Sequence, residues 1–100
     1  MITVGLLALL RAKAGKEEEL ALFLQSALPL AQAEPDTAAW FAIKVDDAAY
    51  AIFDVFPDDA GRQAHLNGQI AAALMARADE LLSEPPDIKP IDVLAAKLPS

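Results

Sequence analysis

His65 is the sole histidine of the chain, and it stands in the segment FDVFPDDAGRQAHLNG between Arg62 and Asn67. An imidazole titrates near neutral pH, so it is the side chain best suited to take up and give back a proton. Arg62 and Asn67 fall within one helical turn of it, where they could orient the ring or an oxygen of a bound molecule. The bland reading stands beside this one. A histidine near a helix break can simply satisfy backbone groups, and an arginine on an acidic helix is usually a solvated charge. The choice depends on the body that carries these residues.

That body is small. One hundred residues make one domain, expected to span 1–100. A chain of this size buries a modest share of its surface and often needs disulfides, a metal or a partner subunit. It has no cysteine, so disulfides and thiolate metal sites are excluded, and one histidine is too few for a histidine-rich zinc site. Any help must come from association. Apolar residues make up 55%, too many for disorder, and the net charge of −7 repels a phosphate backbone. Nucleic acid is therefore not an expected partner. The opening MITVGLLALLRAKAG lacks the leading basic residues of an export signal and is too short to cross a membrane. It reads as a first strand, and the protein as cytoplasmic.

The apolar periodicity divides the chain into six segments. ITVGLLALLRAK is a strand with two largely apolar faces, Val4, Leu6, Ala8, Leu10 and Gly5, Leu7, Leu9, Arg11. KEEELALFLQSALPLAQAE is a helix whose early glutamates suit the positive end of the helix dipole, with Pro29 bending or ending it. After the turn EPDT come two strands, AAWFAIKV and AYAIFDVF, joined as a hairpin around Asp46 and Asp47. PDDAGRQAHLNGQIAAALMARADELL is helical, capped by Asp58 or Asp59 and interrupted at Gly68, with Ile70, Leu74, Ala78 and Leu81 as its core stripe. SEPPDIKP reads as a loop and IDVLAAKL as the last strand.

Strand, helix, strand, strand, helix, strand predicts an α+β fold, one four-stranded antiparallel sheet with the helices on one face. Within the hairpin, Phe41, Ile43 and Val45 are expected to share a face with Ala51, Phe53 and Val55. Trp40, Ala42 and Lys44 then lie beside Tyr50, Ile52, Asp54 and Phe56, because the alternative register buries an unpaired carboxylate. The face without helices is expected to carry Leu7, Leu9, Trp40, Ile52, Phe56 and Leu94, too much apolar surface to leave wet. A homodimer with the sheets face to face would cover it.

GKEEEL, EPDTAAW, YAIFDVFPDDAGRQAHLNG and IDVLAAKL, taken in order, resemble the antibiotic biosynthesis monooxygenase family over essentially the whole chain. The resemblance implies a ferredoxin-like βαββαβ domain in a dimeric α+β barrel. It implies oxidation of a quinol or phenol-type aromatic by molecular oxygen, with no cofactor and no metal. In that chemistry a phenol loses a proton, and its anion passes an electron to oxygen. The protein supplies a base, water-excluding walls and a group that steadies the anion. His65 corresponds to the histidine of the family's AHL segment and takes the base role. Trp40, Tyr50 and Phe56 are the expected walls, with Asp54, Arg62 and Asn67 as substrate-binding polar groups.

Against this, Trp40 and Phe56 also suit packing at a dimer interface, and Asp54 and Lys44 could simply pair with each other. Glu34, Pro35 and Thr37 match the family's recurrent turn and read as structural. The first-strand asparagine and second-helix histidine that haem-degrading relatives use are missing. Two rival functions stand beside the monooxygenase: a small-molecule-binding or stress-related module, and a structural dimer filled by its own side chains.

Overall fold

A computed structural model describes residues 1–99. The chain forms β1 (Val4–Arg11), α1 (Glu17–Ser26), α2 (Leu28–Gln32), β2 (Ala39–Lys44), β3 (Ala49–Phe56), α3 (Asp59–Leu66), α4 (Gln69–Leu81) and β4 (Asp87–Asp92). The four strands make one antiparallel sheet in the order β2-β3-β1-β4, the expected α+β ferredoxin-like arrangement. Each long helix is split where the sequence says it should be. Pro29 enters at the start of α2 after a break at Ala27, because a proline cannot donate to a preceding turn. Gly68, in extended conformation, separates α3 from α4. After β1 the chain turns at Gly15, whose φ of 85° is open to glycine at no steric cost.

The hairpin register is the expected one, with Phe41 opposite Phe53 and Trp40 opposite Asp54. Asp46 closes the turn by accepting from the backbone N–H groups of Ala48 and Ala49 at 3.0 and 2.8 Å. The core lies between sheet and helices. Leu6, Ala8 and Leu10 of β1 and Tyr50 and Ile52 of β3 meet Leu20 and Leu24 of α1 and Leu74, Ala78 and Leu81 of α4, all buried.

Two expectations are corrected. Leu7 and Leu9 do lie on the uncovered face, but Trp40, Ile52 and Phe56 lie on the helix-covered one with Asp54. Both faces of β1 are apolar, so its pattern could not choose between alignments one residue apart against β3. Opposite the helices the sheet instead shows Leu7, Leu9, Phe41, Ile43, Phe53 and Ile91. The last strand is the second correction. It begins inside the expected loop, at Asp87, and ends at Asp92, leaving Leu94 97% exposed. β4 contains Pro90, which a strand at the sheet edge tolerates because its outer side has no ladder to complete.

Candidate functional site

The site begins with a cap. Asp58 is extended and accepts a hydrogen bond from the Gly61 N–H at 2.9 Å, which starts α3 directly after β3. Gly61 lets the helix approach the 34–37 turn closely, since a Cβ there would lie 3.1 Å from the Asp36 Cβ. One turn after Gly61, His65 points inward, 7% exposed, its ring tilted over Phe56 at 5.4 Å between centroids.

Both ring nitrogens meet carboxylates. Nδ1 lies 2.7 Å from Glu34 Oε1, and Nε2 lies 2.9 Å from Asp54 Oδ2. A carboxylate only accepts, so the ring that satisfies both carries hydrogen on both nitrogens and is a cation. Burial opposes that charge most strongly. The hydrogen bonds and negative charges of Asp54 and Glu34 outweigh it, and the imidazole's proton affinity is raised above its ordinary value of 6.5.

Asp54 is therefore buried, at 1% exposure, but not unpaired. The rule that a lone carboxylate avoids the interior holds, and the partner is His65. Its other oxygen, Oδ1, has no hydrogen-bond partner among the described residues, and neither does the indole Nε1 of Trp40 on the neighbouring strand. Glu34 is held by its own turn, where the Thr37 hydroxyl donates to Oε1 at 2.8 Å. The array Glu34–His65–Asp54 thus spans from the turn before β2 to the centre of the sheet.

Two cavities meet at His65. The outer one has a volume of about 290 Å³ and is lined by Leu30, Glu34, Asp36, Thr37, His65 and Gly68, among others. The inner one, about 50 Å³, lies between sheet and α4 against Leu6, Ile52, Asp54, His65, Leu74 and Ile88. A dry cavity of about 150 Å³ is enough for benzene, so the outer space admits a small aromatic ring and the inner one only a water-sized molecule.

Of the residues singled out from sequence, the fold brings Asp54, Phe56 and His65 together. Tyr50 is buried in the main core, where its hydroxyl donates to the Glu17 carbonyl at 3.2 Å. Trp40 packs between the two apolar clusters. Arg62 binds Asp59 at 2.8 Å and the carbonyls of Gly5 and Ile91 at 3.3 Å each, so it ties α3 to β1 and β4. Asn67 is the exposed C-cap residue of α3 and lines neither cavity. Lys44 reaches Asp47 at 3.8 Å, not Asp54. Glu34 read as structural from the sequence, and its place beside His65 was not foreseen. It lies 31 positions from His65, and only the Glu-to-Thr spacing in EPDT hinted that its carboxylate had a holder.

No protein-family model matches the chain, and no curated protein matches it. Solved structures do. A protein of unknown function from Nitrosomonas europaea is 59% identical, with a TM-score of 0.98 over 100% of this chain and 97% of its own. A protein from Mycobacterium tuberculosis is 16% identical, with a TM-score of 0.82 over 94% and 97%. A solved antibiotic biosynthesis monooxygenase is 13% identical, with a TM-score of 0.78 over 92% and 99%. At such low identity the last two speak for the fold alone. The chain belongs to one family with the Nitrosomonas europaea protein of unknown function, and it has the fold of the antibiotic biosynthesis monooxygenases.

Proposed function

We propose that this protein is a cofactor-independent monooxygenase for a small phenol- or quinol-type aromatic. The observation that carries the reading is His65, held between two carboxylates, on the wall of a cavity large enough for one ring. The ring enters the outer cavity with its hydroxyl toward the Glu34–His65 end of the array. Loss of the hydroxyl proton leaves an electron-rich anion, which the imidazolium steadies. The anion passes an electron to dioxygen, and the radical pair recombines at a ring carbon. When a phenol C–H becomes a quinone carbonyl, one oxygen atom enters the ring and the other leaves as water. All the electrons come from the substrate, so no second reductant is required. His65 is the catalytic centre and Asp54 the group that orients it. Phe56 packs against the His65 ring, while Trp40, Tyr50, Arg62 and Asn67 line neither cavity and stand outside the site.

The double pairing of His65 also favours a second reading, a binding module of the same fold with no chemistry, because neither ring nitrogen has a free lone pair. Oxygen consumption with a panel of quinols and dihydroxyaromatics separates the two. Turnover that disappears in His65→Leu supports the enzyme, and no uptake with any of them leaves the binding module.

The uncovered sheet face supports a homodimer in which two such faces close on each other. Phe41 and Ile43 are 51% and 45% exposed there, and Phe41 stacks on Phe53 at 6.5 Å. No helix among the described residues is long and apolar enough to cross a membrane. We place the dimer in the cytoplasm, each subunit a single domain.

A further inference from the structure

We propose that Glu34, and not His65, is the group that accepts the substrate's hydroxyl proton. The inference rests on the monooxygenase site described above and adds a residue to it. Three observations lead to it. Both nitrogens of His65 are already committed, at 2.7 and 2.9 Å, so the ring offers no lone pair to a hydroxyl. Asp54 lines only the inner cavity, whose volume of about 50 Å³ excludes an aromatic ring. Glu34 lines the outer cavity, and its Oε1 already takes two donors, the His65 ring and the Thr37 hydroxyl. Its other oxygen, Oε2, is left to accept from a ligand.

The surroundings fit that role. Oε2 lies by Gly68, where an added Cβ would stand 3.1 Å away, so it sits beside the start of the thirteen-residue helix α4. The ionisable groups that line the two cavities with His65 are Glu34, Asp36 and Asp54. Arg62, one turn earlier on α3, is engaged by Asp59. Asp36 is exposed and has no such holder, whereas Glu34 is only partly exposed and fixed from two sides. In the step itself the hydroxyl proton passes to Oε2, and the O–H electron pair stays on the substrate oxygen. One negative charge moves from carboxylate to phenolate, and the imidazolium remains beside both.

The test uses phenol and its methyl ether, anisole, which have similar shape but differ in the one proton. Titrated into the folded protein and followed by calorimetry, phenol should bind at least about tenfold tighter than anisole, the scale of one hydrogen bond to a charged acceptor. Glu34→Gln should reduce that preference about tenfold, Glu34→Asp should restore part of it, and Asp47→Asn, in the β2–β3 turn away from both cavities, should leave it unchanged. Thr37→Val keeps the carboxylate but removes its holder and should weaken the preference partially. Equal binding of phenol and anisole by the wild type overturns the proposal, as does a preference lost in Asp36→Asn but kept in Glu34→Gln. Oxygen uptake separates the two levels. Uptake that Asp54→Asn abolishes and Glu34→Gln leaves unchanged at every pH removes Glu34 and keeps the enzyme. A Glu34-dependent preference for phenol with no uptake keeps the acceptor and removes the oxygenase.

Discussion

The two faces of the sheet depart from ordinary burial in opposite senses. Under the helices, where hydrocarbon is expected, sit the carboxyl group of Asp54 and the imidazole of His65, each almost wholly shielded from water. On the other side, where polar groups are expected, Leu9, Phe41 and Ile43 stand open. A buried ion is tolerated only when its partners replace the water it has lost. Exposed hydrocarbon on this scale is tolerated when something covers it. The first condition is met inside the subunit by residues 11 and 31 positions from His65, Asp54 and Glu34. The second is met by a second copy in our reading. In that reading a site and a contact surface occupy opposite sides of one strand layer, with alternate residues of β3 facing each.

Breaking the inner side should have the larger effect on stability. His65→Leu leaves Asp54 buried without a cation and should cost about 3–5 kcal/mol in urea unfolding. A loss below about 1 kcal/mol would mean that the array is not closed as described. On the outer side, Phe41→Asp with Ile43→Lys places charges in the proposed dimer interface. Sedimentation at micromolar concentration should then show a single subunit, whereas the wild type sediments as a pair. Wild type that already runs as a single subunit removes the covering copy.

Gly5 joins the two sides, because a Cβ there would come within 2.6 Å of the Asp54 carbonyl oxygen, a backbone atom that cannot step aside. Gly5→Ala should cost about 1–3 kcal/mol through the strand shift it forces. It should perturb the His65 ring resonances as well, since Asp54 moves with its strand. Asp58→Ala removes the α3 cap and should cost about 1 kcal/mol.

The smallest effect comes from pH. The raised proton affinity of His65 means that its stabilising contribution is complete below the unfolded imidazole's value of 6.5. It is lost as pH rises through the higher folded value. Thermal unfolding of the wild type should therefore move to lower temperature from neutral into mildly alkaline solution. His65→Leu should lack that slope.

The path from sequence to this molecule was uneven for identifiable reasons. Alternation along 38–45 and 49–56, with a turn around Asp46 and Asp47, was enough for the hairpin. Its register follows from keeping Asp54 out of an unpaired burial, and it holds although Asp54 is buried, because His65 pairs it. Helical spacing gave Ile70, Leu74, Ala78 and Leu81 as a buried stripe, and Pro29 and Gly68 marked both helix breaks. The alignment of β1 was not legible, since a strand apolar on both sides fits either way. The last strand starts earlier than its apolar run, because β4 at the sheet edge takes in the polar and proline-containing DIKP as well as Ile91.

For the site, residue chemistry alone singled out His65, because a lone imidazole is conspicuous in any reading. What it touches was a different matter. Glu34 and Asp54 come to its two nitrogens from a turn and from a central strand. No local period links positions that far apart. The chain by itself determined which elements form and where they end, since those depend on neighbours within a few residues. Only the packed structure decided that two carboxylates share one ring, because that pairing exists once α3 is laid across the sheet.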